Sequence, residues 1–249
     1  MPIILSKQIQ MLAFLIGMTL LVSLQSMAQK IDPQSQALIN NAEKAMGGQQ
    51  AFDKIRHLSW NFLNIRSLTW DKHSGDVRID LRNENSVYLY NTKTEKAKIL
   101  KNGVEQTHPD SLAKYGKVAY EMWINDSYWL IMPFKLDDPG VKQLYLGEML
   151  SEQGYSCDVI QITFENTGVT PDNKYLIYFD KKSGLVCQWD FFRNANDAAP
   201  LFTTPWLDYA RYQGVLISGD RGERKLSNIH VFKKLPETVY TDFKRPKFL

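Results

Sequence analysis

Apolar residues in this chain recur at two spacings, and the switches between them mark out its elements. Over residues 33–46, Ala37, Leu38, Ala42, Ala45 and Met46 fall on one face at helical spacing, which predicts an amphipathic helix. Asp32 is a natural N-cap, Pro33 suits the first helical position, and Gly47-Gly48 provides a left-handed stop. A short second helix is expected over residues 49–55. From His57 the period becomes two: Leu58, Trp60 and Phe62 alternate with Ser59 and Asn61. The phase slips at Leu63 and Ile65, which reads as a bulge. Val77, Ile79 and Leu81 alternate with Arg78, Asp80 and Arg82, which predicts a strand with one wet face. Residues 87–90 and 98–100 read as two short strands, with Gly75 and Asn102-Gly103 as turn signals.

Helical spacing returns over residues 109–123, through Leu112, Tyr115, Val118, Ala119 and Met122. An irregular continuation is expected as far as Pro133, where proline and the Asp137-Asp138-Pro139-Gly140 turn close the segment. Beyond it, strands are predicted over residues 141–148, 155–165, 174–180, 185–193, 201–213, 215–218 and 225–233. Tyr175-Leu-Ile-Tyr-Phe179 is apolar on both faces, so both faces of that strand should be covered. Roughly ten strands and two helical segments predict a mainly β (α+β) fold. The expected architecture is a single curved antiparallel sheet, an unclosed β-barrel around a helical plug or lid.

The N-terminus changes the picture of where this fold works. Lys7 is the only charge before residue 30, residues 11–24 are apolar, and Ser26-Met27-Ala28 is a small-x-small site. That pattern reads as a secretory signal peptide, residues 1–28, cleaved after Ala28. No Cys follows the site, so no lipid attachment is expected, and the mature chain is expected to be periplasmic or secreted. Cleavage removes one Lys from 30 basic residues, leaving 29 against 27 acidic, a net charge of +2. So even a balance excludes a nucleic-acid footprint; the basic cluster Lys244-Arg245-Pro246-Lys247 reads as a solvated tail. The remaining 221 residues carry no linker or repeat and are read as one domain, residues 29–249.

The only two cysteines, Cys157 and Cys187, would be disulfide candidates in an exported chain. The expected register places Cys187 opposite Tyr178 and Tyr178 near Gln161. That puts Cys157 about four residues further along and two strands away, beyond disulfide reach. Two free, buried thiols are expected.

The densest stretch for chemistry is Trp123-Ile-Asn-Asp-Ser-Tyr-Trp129-Leu-Ile-Met-Pro-Phe-Lys-Leu136, aromatic rings around an Asn125-Asp126-Ser127 kernel. Such clusters line either a core or a ligand cavity. The candidate ligand-binding residues are Trp60, Phe62, Trp123, Asn125, Asp126, Tyr128, Trp129, Met132, Phe134, Phe164 and Trp189. Asn125 and Asp126 would form a polar mouth, though both also serve as turn formers. His57, His73, His108 and His230 lie at no ligand spacing. Asp76, Asp80 and Glu84 read as a solvated strand face, and no Ser sits in a nucleophile elbow.

A helix ending in Gly-Gly, then Phe52-x-x-Ile55-x-x-Leu58, then a long antiparallel meander resembles the periplasmic lipoprotein-carrier superfamily (LolA/LolB-like). The run from Trp123 to Leu136 looks like that of an exported Bacteroidota family related to those carriers. Gly168-Val-Thr-Pro171-Asp172-x-x-Tyr175 and Thr204-Pro-Trp206-Leu-Asp208-Tyr209-x-x-x-x-Gly214 extend the likeness over essentially the whole mature chain. The resemblance implies a half-barrel with a helical lid over a cavity for acyl chains. The buried Arg by which such carriers latch their lid has no assigned counterpart; Arg56 and Arg66 are candidates by proximity to the first strand.

The expected function is therefore binding and not catalysis: an exported monomer that shelters a lipid or other hydrophobic small molecule, without cofactor or metal. An envelope protein partner is compatible with that reading, and lipoprotein carriage and envelope sensing are both versions of it. The alternatives are a secreted hydrolase of acyl or glycosyl bonds, or a structural envelope protein with a filled core.

Overall fold

Asp32 begins the first helix, α1 (Pro33–Ala45), as its spacing predicts: its carboxylate accepts from the Gln34 amide at 3.1 Å and the Ser35 hydroxyl at 2.8 Å. The structure, a computed structural model, describes residues 32–165 and 167–247. The expected signal peptide, its cleavage site and the mature N-terminus at Gln29 lie outside the described residues. Gly47, at φ 111°, ends α1 where a Cβ would collide with the Gly214 carbonyl. That close approach lets the Leu216 amide donate to the Met46 carbonyl at 2.8 Å. Helix α2 (Gln49–Lys54) follows and delivers Phe52 to the core.

The fold is mainly β, with curved antiparallel sheets, none closed into a barrel. Strands β1 (His57–Phe62), β2 (Arg66–Asp71), β3 (Asp76–Leu81), β4 (Ser86–Asn91), β5 (Ala97–Lys101) and β6 (Val104–Gln106) form a meander. Helix α3 (Pro109–Ile131) and a 3-10 turn (Met132–Phe134) come next. A second meander follows: β7 (Val141–Leu150), β8 (Ser156–Phe164), β9 (Lys174–Asp180), β10 (Val186–Phe192) and β11 (Phe202–Pro205). A hairpin, β12 (Leu207–Tyr212) and β13 (Val215–Asp220), stands as its own two-stranded sheet. Strand β14 (Leu226–Phe232) then returns to pair with β1, giving a seven-stranded sheet beside the five-stranded one. The strands thus fall into three sheets, and a break at Trp206 divides what reads as one strand over residues 201–213 between two of them.

Several local expectations change. The phase slip after Phe62 is a tight turn and not a bulge: Leu63 and Asn64 both take positive φ, 48° and 56°, the conformation of a primed hairpin. The face of β3 that alternation marks as wet is covered. Arg78 is fully buried and grips Asp80 through contacts of 2.8–3.1 Å. Its remaining donors hold the carbonyls of Val239, Asp242 and Phe243 at 3.2, 2.7 and 2.8 Å, around helix α4 (Thr238–Thr241). Asp80 therefore belongs to a buried ion pair, and Asp76 bonds Ser74 and Asn91; only Glu84, paired with Lys101, sits at the surface.

The cysteine register is also different. Tyr178 lies opposite Val159 and Cys157 opposite Asp180, while the β9–β10 ladder is irregular at Cys187. The two sulfurs come within 3.3 Å of each other, yet both thiols are free and buried. They lean together over β9, which runs between their strands. The expectation of two free, buried thiols therefore holds, but the wide separation expected between them does not: the sulfurs are in contact across β9.

Candidate binding site

Asn125-Asp126-Ser127 does not break α3, because each side chain is satisfied within helical geometry. The Ser127 hydroxyl donates back to the Ile124 carbonyl at 3.1 Å, and the Asn125 amide donates to Asp126 at 3.0 Å. Asp126 is fully buried and takes two bonds from Arg66: Nε to Oδ2 at 2.5 Å and Nη2 to Oδ1 at 2.6 Å. Burial pushes the Asp126 carboxyl above its ordinary value, against the opposing pull of Arg66 and Asn125. Arg66 leaves the Leu63–Asn64 turn on β2, so that turn aims the guanidinium at the helix. Of the two arginines expected by proximity, Arg66 reaches the helix. Arg56 is half exposed and bonds Asp71 at 3.0 Å on the outside of β1.

Around this pin, α3 is packed on aromatic rings from both large sheets. Trp60, Phe62, Trp123 and Phe134 join the core against the seven-stranded sheet, where Phe134 stacks on Phe52 at 4.2 Å and Trp123 meets Trp70 edge-on at 5.2 Å. Tyr128, Met132, Phe164 and Trp189 join the core of the five-stranded sheet. Trp129 belongs to both, 5.9 Å from Phe62 and 5.0 Å from Trp189. Ten of the eleven candidate residues thus converge on one interior, and Asn125 is exposed. Sequence reasoning missed Trp70, Tyr175 and Trp206, all part of the same ring assembly. Their signal was ordinary apolar strand patterning, which does not distinguish one lining residue from another.

The chemistry of this interior lies in donors that nothing in the protein accepts. Among the described residues, the indole nitrogens of Trp60, Trp70, Trp123 and Trp189 and the Tyr128 hydroxyl are enclosed without a hydrogen-bond partner. Burial lifts the Tyr128 phenol well above its ordinary value and the neighbouring Tyr175 phenol to about 12, so both stay protonated donors. Enclosed Tyr and Trp polar atoms ordinarily find partners.

Arg221, on the loop after β13, carries no local sequence signal. It is 1% exposed and lies over the Trp206 ring at 3.2 Å. Its Nη2 donates to the Trp129 carbonyl at 2.8 Å and to the Ser218 carbonyl at 3.1 Å. Its Nη1 donates to the Ser218 hydroxyl at 2.8 Å and to the Asp220 carbonyl at 2.5 Å. Its Nε has no partner. Burial lowers this guanidinium to about 9, with Tyr209 and Asp220 opposing.

Two surface pockets are described. One of about 340 Å³ is lined by Leu63, Asn64 and Gly222 to Lys225; the other, of about 220 Å³, lies among β12, β13 and β14. Neither is lined by any of the eleven candidate residues, whose rings pack on one another instead. The histidines make separate local contacts: His57 with Tyr240 at 2.9 Å, His73 with the Asp53 carbonyl at 3.0 Å, His108 as the cap of α3, and His230 beside Phe232. Among the described residues, no three His, Cys, Asp or Glu side chains converge as a metal set requires.

No known family signature and no curated protein matches this chain. A solved structure similar in outline is a DUF1329 family protein from Desulfovibrio piger, 14% identical, with a TM-score of 0.46, covering 83% of this chain and 96% of that one. At that level the likeness carries no functional information.

Proposed function

We propose that this is an exported binding protein that shelters the apolar part of a lipid-like molecule between α3 and the two large sheets. The observation that carries the reading is the set of enclosed, unpartnered donors on Trp60, Trp70, Trp123, Trp189 and Tyr128. An unsatisfied buried donor costs about 1–3 kcal/mol. An interior built only to be filled would carry Phe or Leu at these positions. Ester, carboxyl or hydroxyl oxygens of a guest would supply the missing acceptors.

In this reading the Arg66–Asp126 pair holds the lid shut. It fixes a 23-residue helix to β2 through one side-chain pair, without a ladder of backbone bonds to unzip. Binding, not catalysis, is the proposed role, for a monomer that takes an envelope protein as partner and no nucleic acid. Export follows from the pattern of residues 1–28. The test is native mass spectrometry with lipid extraction of protein from the exporting host, followed by titration with a fluorescent fatty acid. Co-purified lipid and saturable probe uptake are expected; no lipid and no uptake would refute the reading. A structural protein with a filled core is the second reading. It is favoured by the close ring packing of Trp189 against Trp129, Tyr175 and Trp206 at 5.0, 5.0 and 5.3 Å, and it predicts the negative outcome.

A further inference from the structure

We infer that the guest is an anionic amphiphile, whose carboxylate or phosphate head is received by Arg221 beside the 340 Å³ pocket. This rests on the binding reading above and adds the charge of the ligand.

A buried guanidinium needs an anion, or the full use of its donors, to offset the loss of water. Arg221 has neither. Its Nη atoms are spent on neutral oxygens of Trp129, Ser218 and Asp220, and Nε is enclosed with no acceptor. The nearest acid in sequence, Asp220, turns its carboxylate to the Gly222 amide at 2.9 Å. A second enclosed polar atom without a partner, the Thr204 hydroxyl, lies on β11, two residues before the Trp206 ring that Arg221 covers. Guanidinium and hydroxyl are the donors that oxyanions take.

The surroundings extend the same charge. The residue after Arg221 begins the lining of the pocket, which continues through Glu223, Arg224 and Lys225. Arg224 lies over Phe202 at 4.6 Å, and among the described residues neither Arg224 nor Lys225 has an ion-pair partner. Glu223 is the one acid in the lining. Phe202 and Trp129 lie 5.9 Å apart, and Trp129 also meets Phe62, over which Arg66 sits at 4.8 Å. Arg221 and Arg224 therefore border one set of aromatic rings, to which α3 contributes Trp129, whereas Arg66 is neutralised by Asp126. A head at Arg221 directs its tail to the Trp129 and Trp189 rings, which pack on one another at 5.0 Å and must part to admit it.

The experiment is calorimetric titration of the mature protein with three twelve-carbon probes: dodecanoate, dodecyl phosphate and dodecanol. Wild type should bind at least one anion about tenfold more tightly than the alcohol, the worth of one charge-assisted hydrogen bond. The stronger of the two anions identifies a fatty-acid or a phosphate-bearing source. Arg221→Met should bring anion and alcohol to within about twofold. Because Arg221 also holds the Trp129 carbonyl and its loss can unfold the chain, Thr204→Val is the second variant, near in shape and expected to shrink the same preference several-fold. Equal binding of anion and alcohol by wild type, or a preference that survives in a folded Arg221→Met and in Thr204→Val, overturns the inference while leaving the binding reading intact. Failure of all three probes overturns the binding reading and this inference with it.

Discussion

Trp189→Phe tests whether the interior donors are truly unsatisfied. Trp189 is fully buried, with four rings around it: Trp129 and Tyr175 at 5.0 Å, Trp206 at 5.3 Å and Tyr128 at 6.1 Å. Replacing indole by phenyl removes about 40 Å³, and at about 24 cal/mol per Å³ the cavity costs about 1 kcal/mol. The lost transfer energy of the missing ring atoms costs about 1 kcal/mol more. Against this, the enclosed Nε1 donor disappears, returning about 1–3 kcal/mol. The net change should lie within about 1 kcal/mol of zero, where Trp189→Ala should lose about 3–5 kcal/mol. The assay is urea denaturation, comparing midpoints at constant slope, with fluorescent fatty-acid titration alongside. Trp189→Phe should weaken probe uptake even though it leaves the empty protein as stable. A loss above about 3 kcal/mol at unchanged slope, with unchanged uptake, would show that the nitrogen is already well bonded, and the argument from orphaned donors would fall.

Other consequences follow from single contacts. Arg66→Met leaves the fully buried Asp126 carboxylate alone and should cost about 3–5 kcal/mol, whereas Arg66→Met with Asp126→Leu should regain most of it; a thermal double-mutant cycle that finds no coupling would refute the pinning role. Burial holds His57 below its ordinary value, with Asp71 opposing and Arg56 reinforcing, so the unfolded chain binds a proton first. Its contribution is therefore full above about pH 6.5 and lost as pH falls below that, and His57→Gln should flatten the stability slope between about pH 7 and 5. Burial also raises both Cys157 and Cys187, so thiol counting should find two free thiols after denaturation without reductant and almost no reaction in the native state; a count of zero would refute it.

The sequence by itself determined the elements whose signal is local. Cap, proline and Gly-Gly stop fixed α1, because each acts within a few residues. Strand alternation located β3, β4 and most strands of the second meander, because every second side chain must find a core. The sequence also concentrated the aromatic residues that became the interior. Contacts between distant segments decided the rest. Asn125-Asp126-Ser127 reads as a helix breaker until Arg66, 60 residues earlier, satisfies Asp126 from another element. The alternation of Arg78 and Asp80 reads as a wet face until the C-terminal carbonyls cover it. Arg221 sits in a turn of Gly, Asp and Arg that any surface loop could carry, and only the approach of Trp129 and Trp206 removes it from water. Ladder register likewise lies outside local patterning: a small offset between β8 and β9 preserves each strand's alternation, yet it brings the sulfurs of Cys157 and Cys187 into contact. Period and capping are properties of neighbouring residues, whereas burial of a charge is a property of whatever the rest of the chain lays over it.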